Sequence, residues 1–212
     1  MRALTTEGRP SRPRYARSTN WREARFVALD FETTGLDPAS DHVIAYGVVP
    51  VEGGRALAGS ARRQLVHPPT GPPGRTQKVH LLRPVDLAAA PTIGEVAGDL
   101  RAAITGRILL AWFADVEIAF LRRIYGGSER AWRRRTVDVR DLAIAVDGGP
   151  ASARTARGYG LTATAERYGV PVANAHDALD DALVTAQLFL VLASKLPDRP
   201  RPSVGDLLQL SR

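Results

Sequence analysis

Arg25-Phe26-Val27-Ala28-Leu29-Asp30-Phe31-Glu32, followed by Thr33-Thr34-Gly35, is an apolar strand that ends in two carboxylates and a turn. The side-chain period of two places Asp30 and Glu32 next to each other on one face. Strand interiors disfavour Asp and Glu, and two on one face repel unless a cation lies between them. Val27, Leu29 and Phe31 mark the strand as central, so the pair reads as a metal site rather than a solvated strand end.

Working outward, Asp37-Pro38 signals a turn, residues 43–49 form a second strand, and Gly53-Gly54 leads into a third over residues 56–66. Residues 67–74 are too proline-rich for regular structure. The pattern then alternates. Residues 92–104 read as a helix with a Thr92/Glu95 capping-box spacing, 108–111 as a buried strand and 116–125 as a helix. A short strand over 136–139, a helix from Asp141 and a helix over 162–168 stopped by Gly169 and Pro171 follow. The last clear helix spans 178–194, with Leu179, Leu183, Ala186 and Leu190 as its apolar stripe. An antiparallel meander followed by alternating helices and strands implies an α/β fold with a mixed five-stranded sheet flanked by helices. The expected organisation is a disordered basic tail (1–24), one domain (25–196) and a short C-terminal tail (197–212).

Composition narrows the chemistry. The 212 residues contain no cysteine, which excludes disulfides, thiolate zinc sites and cysteine nucleophiles. A metal must therefore sit on carboxylates and histidines, which favours Mg²⁺ or Mn²⁺. The formal charge is +7, and only Lys78 and Lys195 of the 29 basic residues are lysines. Arginine is the better bidentate partner for phosphate, and net basicity points weakly to a polyanion. No apolar run approaches a membrane span and no secretory signal is visible, so a cytoplasmic protein is expected.

Two more acidic clusters stand out. His176-Asp177-Ala178-Leu179-Asp180-Asp181 opens the last long helix, where acids also favour the helix dipole. Asp181 lies off the leucine stripe, on the side of the small residues Ala178 and Thr185, which would let the helix approach the sheet. Asp115 and Glu117 follow the strand at 108–111, and capping is the simplest reading of Asp115.

At these residues the chain resembles the DEDDh 3′→5′ exonucleases, which include the epsilon proofreading subunit of bacterial DNA polymerase III. FVALDFETTGL is similar to their first motif and HDALDDALVTAQLFL to their third. The stretches LTATAERYGVP and VHLLRPVDLAAAPTIGEVAGDLRAAITGRILLA resemble the connecting segments. The likeness covers roughly residues 25–195, in order. It implies an RNase H-like fold, with Asp30, Glu32, Glu117 and Asp181 as ligands of two Mg²⁺ or Mn²⁺ ions and His176 as general base. It also implies that Thr33, Thr34, Gly35, Leu36 and His80 hold the 3′ end. The second motif departs from the pattern. Glu117 stands where the family has Asp, Trp112-Phe113 replace a His-Asn pair, and Leu81 replaces the Gly that follows the family's His.

The expected activity is removal of nucleotides from 3′ ends, with single-stranded DNA favoured over RNA and a polymerase partner suggested by analogy. Arg122/Arg123 and Arg133-Arg134-Arg135 beside Trp132 are candidates for tracking a nucleic-acid backbone. The competing reading, which the altered second motif favours, is a catalytically weak module that binds nucleic acid or a polymerase.

Overall fold

A computed structural model describes residues 4, 8–69, 82–150, 157–196 and 202–211. β1 (Arg25–Thr33) pairs antiparallel with β2 (Val43–Glu52), with Asp30 opposite Gly47 and Glu32 opposite Ala45. The register shifts just after Glu32, a bulge that re-aims the strand end. The expected third strand is broken into β3 (Arg55–Ala56) and β4 (Arg62–Leu65), separated by a 3₁₀ turn at Ala58–Ser60. Both pieces pair with β2. The small residues around Gly59 have little to pack on a pleated surface, so the strand yields there. β5 (Ile108–Ala111) and β6 (Thr136–Asp138) add parallel to β1 on its other side. Among the described residues the mixed sheet is as expected, with six strands because the third is split in two, in the order β3-β2-β1-β5-β6 with β4 also on β2.

Eight helices are described: α1 (Pro84–Ala88), α2 (Ile93–Ile104), α3 (Asp115–Tyr125), α4 (Glu129–Arg133), α5 (Val139–Val146), α6 (Leu161–Tyr168), α7 (Ala178–Lys195) and α8 (Val204–Leu210). Thr92 and Glu95 form the expected capping box of α2, and Gly169, in the left-handed region, ends α6. α5 starts two residues before Asp141 because Asp138 caps it, accepting from the N–H groups of Arg140 and Asp141. None of the described helices is long and apolar enough to cross a membrane.

The two faces of β1 serve two cores. Val27, Leu29 and Phe31 pack with Leu100 and Ile104 of α2 and Phe120 and Leu121 of α3. Phe26 and Ala28 pack with Val49, Val137 and, from α7, Phe189. The Phe26 and Phe189 ring centroids are 4.8 Å apart. Each fully buried side chain of this size contributes about 1.5–3 kcal/mol of transfer free energy. Asp30 and Glu32 continue the second series, so they emerge beneath the start of α7.

The face of α7 differs from the expected stripe. Ala186 of that stripe is buried as expected, but Leu179, Leu183 and Leu190 are only partly buried, whereas Ala178, Ala182, Thr185, Phe189 and Leu192 are buried. The helix needs small residues against the sheet to lie close to it, and its leucines fill the margins.

Both flanking segments also depart from the expectation of tails. Trp21 is 2% exposed and meets Phe189 edge-on at 5.5 Å. Buried Arg135 donates to the carbonyls of Pro10 and Ser11. The backbone of Val204 donates to Thr19, and that of Gly205 to Arg17, so α8 closes against the N-terminal arm. Val204, Leu207 and Leu208 are buried. An aromatic anchor and a short apolar helix offset the entropy of ordering segments that are polar elsewhere.

Candidate active site

Asp30, Glu32 and Asp181 bring carboxylate oxygens within 4.8 Å of one another. The two strand acids are adjacent because of the pleat. Asp181 arrives because Gly47, cross-strand from Asp30, has no side chain to hold α7 away. Burial, then the charges of Glu32 and Asp181, push the Asp30 carboxyl well above the usual carboxylate range. Burial and the charges of Asp181 and Asp177 push Glu32 up to about 8, partly offset by Arg63. Asp181 is raised by burial and restrained by the His176 backbone N–H, which donates to its Oδ2 at 3.1 Å.

Glu117, on the first turn of α3, is 4% exposed and raised by burial and then by the charge of Asp30. Its Oε2 is buried without a hydrogen-bond partner. It thus stands beside the three clustered acids, outside their 4.8 Å group. Four carboxyls that burial and mutual repulsion hold towards the neutral form, one with an orphaned oxygen, fit hard divalent cations. Asp115 is not the cap of α3, whose N-cap is Ala114; it pairs with Arg133 at 2.6 Å. Asp177 is the N-cap of α7, accepting from Leu179 and Asp180, and Asp180 accepts from Asn174 at 2.7 Å.

His176 is exposed and has φ 66°, a left-handed conformation costing on the order of 1–3 kcal/mol outside glycine. That backbone turn aims its N–H at Asp181 and leaves the imidazole at the rim.

The turn after β1 is held from within. Thr33 Oγ1 donates to Gly35 O, and Thr34 Oγ1 donates to Asp41 while accepting from the His42 N–H. The Thr34 N–H is committed to His42 O, so it is not among the amides open to a substrate. A β-carbon on Gly35 would stand 2.4 Å from the Asp41 carboxylate. Leu36 projects from the turn, 72% exposed. His80 lies outside the described residues. A cavity of about 190 Å³ lined by Asp41, His42, Val43, Ile93, Phe120 and Arg123 lies behind this turn.

Four of the five arginine candidates pair within the fold. Arg123 donates to Pro38 and Asp41 carbonyls behind the turn, Arg122 pairs with Glu129, and Arg133 with Glu129 and Asp115. Arg135 donates to Ile104 and Arg107 as well as the N-terminal arm. One basic residue missed in the sequence does face the site. Arg63 on β4 lies opposite Gly47, in the same row as Asp30, and pairs with Asp177 at 2.9 Å. Its signal was absent locally, because the broken third strand conceals the register.

A protein-family model described as Exonuclease (RNase_T) matches residues 27–189. A DNA polymerase III subunit epsilon-like protein of Rhodobacter capsulatus is 32% identical over 86% of the chain and 26% of its own length. The DNA polymerase III subunit epsilon of Aquifex aeolicus is 28% identical, with 91% of both chains covered. The chain spans about a quarter or less of the longer relatives, such as the PolC-type polymerase III of Thermotoga maritima at 12%. Among solved structures, E. coli Exonuclease I with a dT13 oligonucleotide superposes with TM-score 0.65 at 18% identity, covering 83% of this chain and 42% of that one. The nuclease domain of 3′hExo, a DEDDh family member bound to rAMP, gives 0.67 at 14% identity, with 87% and 97% covered. At these identities the structures speak for the mixed α/β fold.

Proposed function

Because this chain belongs to the exonuclease family whose model spans residues 27–189, we propose that it hydrolyses phosphodiester bonds at nucleic-acid 3′ ends, single-stranded DNA ends being favoured. The observation that carries the reading is the convergence of Asp30, Glu32 and Asp181 within 4.8 Å at the end of the central strand, with Glu117 behind them. The names of the relatives, DNA polymerase III subunits and a 3′-5′ exonuclease of Staphylococcus aureus, support both direction and DNA. They also suggest a DNA polymerase as the partner class.

Asp30, Glu32, Glu117 and Asp181 would hold Mg²⁺ or Mn²⁺. Bound there, such ions would supply charge neutralisation at the attacked phosphate and a lowered pKa for the attacking water. The residues of the chain do the rest. His176, at the rim and tied through its backbone to Asp181, accepts the proton of the attacking water. Thr33 to Leu36 form the wall against which the terminal sugar rests, with the exposed Leu36 against the last base. Arg63 holds Asp177 and with it the start of α7, which keeps Asp181 and His176 in register.

The test uses 5′-labelled single-stranded DNA and RNA with Mg²⁺, Mn²⁺ or EDTA, beside Asp30→Asn. A metal-dependent ladder shortening from the 3′ end, absent in the variant, supports the enzyme, and the faster polymer names the substrate. Strands bound but never shortened by the wild type would instead favour a nucleic-acid-binding module, the reading to which the altered second motif belongs.

A further inference from the structure

Cross-strand partners point to one side of a sheet, so Arg63 of β4, Gly47 of β2 and Asp30 of β1 form one row on the face that carries α7. Gly47 lies under the backbone of Ala178, so the first turn of α7 fills the middle of that row. Arg63 reaches past this turn to Asp177, one residue from His176, with Nη2 at 2.9 Å from Oδ2. Asp177 divides its oxygens. Oδ1 accepts the Leu179 and Asp180 N–H groups that start the helix, and Oδ2 takes the guanidinium. The positive charge draws the Glu32 carboxyl down, against burial and the charges of Asp181 and Asp177.

One contact does not use up a guanidinium, whose five N–H donors form a planar fork that can serve two anions. Among the described residues no hydrogen bond or ion pair other than that to Asp177 engages Arg63, and its side chain is 37% exposed. Asp86 of α1, whose carboxyl is held low first by Arg83, also feels the charge of Arg63, but its hydrogen bonds all go to Arg83. Arg123, Arg133 and Arg135, by contrast, each spend two or more contacts on the fold.

A nucleic-acid strand brings one negative phosphate per nucleotide. The attacked phosphate faces the four carboxyls that would hold cations. Its neighbour meets the acidic start of α7, where a positive group is needed to hold it. We infer that Arg63 binds the phosphate next to the attacked one, through the edge of its guanidinium that Asp177 leaves open. The inference rests on the exonuclease reading and adds a substrate-binding residue to it. It goes beyond the hold on Asp177, which acts on kcat through Asp181 and His176, whereas a phosphate contact acts on binding.

The test uses the full chain with Arg63→Gln, Arg63→Lys and Asp177→Asn. Asparagine caps a helix as well as aspartate does, so Asp177→Asn breaks the ion pair while keeping both the α7 cap and the arginine. The pair is more than a quarter exposed on both sides, so all three variants are expected to melt close to the wild-type temperature. Two readouts apply: kcat and KM on single-stranded DNA with Mg²⁺, and the salt dependence of binding to a labelled oligothymidylate with Ca²⁺ in place of Mg²⁺. Arg63→Gln is expected to raise KM about tenfold. It should also flatten the slope of log K against log salt by about 0.7, the share of one phosphate contact on a single strand. Arg63→Lys should keep the wild-type slope, because one positive charge suffices for it. Asp177→Asn should lower kcat, with KM at or below the wild-type value and the slope unchanged. An Arg63→Gln protein with wild-type KM and slope, or equal shifts of both in Arg63→Gln and Asp177→Asn, would reduce Arg63 to a helix anchor. Either result overturns the inference and leaves the exonuclease reading intact. A wild type that shortens no strand overturns that reading, and the inference with it.

Discussion

Gly47 of β2 lies directly beneath Ala178, the first residue of α7: a β-carbon at Gly47 would stand 2.0 Å from the Ala178 carbonyl oxygen. The obstacle is backbone, so a side chain there can be accommodated only by lifting the helix that carries Asp181. Gly47→Ala is expected to destabilise by about 1–3 kcal/mol through overpacking. It should also cut activity on the order of 100-fold, since a displacement of about an ångström suffices for that. Gly94→Ala, whose β-carbon meets nothing closer than 3.8 Å, is the control, expected to be neutral or slightly stabilising in thermal melts.

Glu117→Gln tests the fourth acid. Removing one charge from a buried, mutually repelling set should raise the melting temperature of the metal-free protein while lowering cleavage by two orders of magnitude or so. Asp115→Ala breaks only an ion pair with Arg133 that is about 40% exposed on both sides, and should leave cleavage within about threefold. Equal losses in both variants would mean that Glu117 is not a ligand.

The same repulsion sets a pH dependence for the metal-free protein. Glu32 moves from an ordinary 4.5 up to about 8 on folding, and Asp30 is also raised. The native state therefore binds protons more tightly than the unfolded chain, and stability is greatest below about pH 4.5 as far as these groups are concerned. It is lost as pH rises through 8. Melting temperatures in EDTA should fall between pH 6 and 8.5, and Mg²⁺ or Mn²⁺ should restore more stability at pH 8.5 than at pH 6. A metal-free protein equally stable across that range contradicts the acid cluster.

Asp138 joins two helix starts, so its loss should cost more than an ordinary cap. Asp138→Ala removes the α5 cap, about 1 kcal/mol, and orphans the buried Ala114 N–H, about 1–3 kcal/mol. Chemical denaturation should show a loss of roughly 2–4 kcal/mol, with cleavage reduced through the start of α3, which carries Glu117.

The N-terminal arm supplies the sharpest disagreement with a tail. Trp21→Ala should destabilise by about 3–5 kcal/mol, as for other buried tryptophans, whereas a residue in a detached tail would cost nothing. Differential scanning calorimetry separates the two.

By itself the sequence determined the strand carrying Asp30 and Glu32, the α2 capping box, the alternation that makes the sheet mixed, and the acidic start of α7. Each is written in a local period or a spacing of a few residues, and local sterics and hydrogen bonding enforce it. Only the tertiary structure decided which surfaces meet. It broke the third strand at Ala58–Ser60 and put Arg63 in the row of Asp30 and Gly47. It turned the arginines of 133 and 135 into ion-pair and carbonyl ligands, and it recruited Trp21 and α8 to the core. It left Leu179, Leu183 and Leu190 of α7 at the margins of the core, only partly buried. These outcomes depend on contacts between residues tens of positions apart. Their free energy comes from burial and from pairing buried polar groups, neither of which has a signature within a short window of sequence.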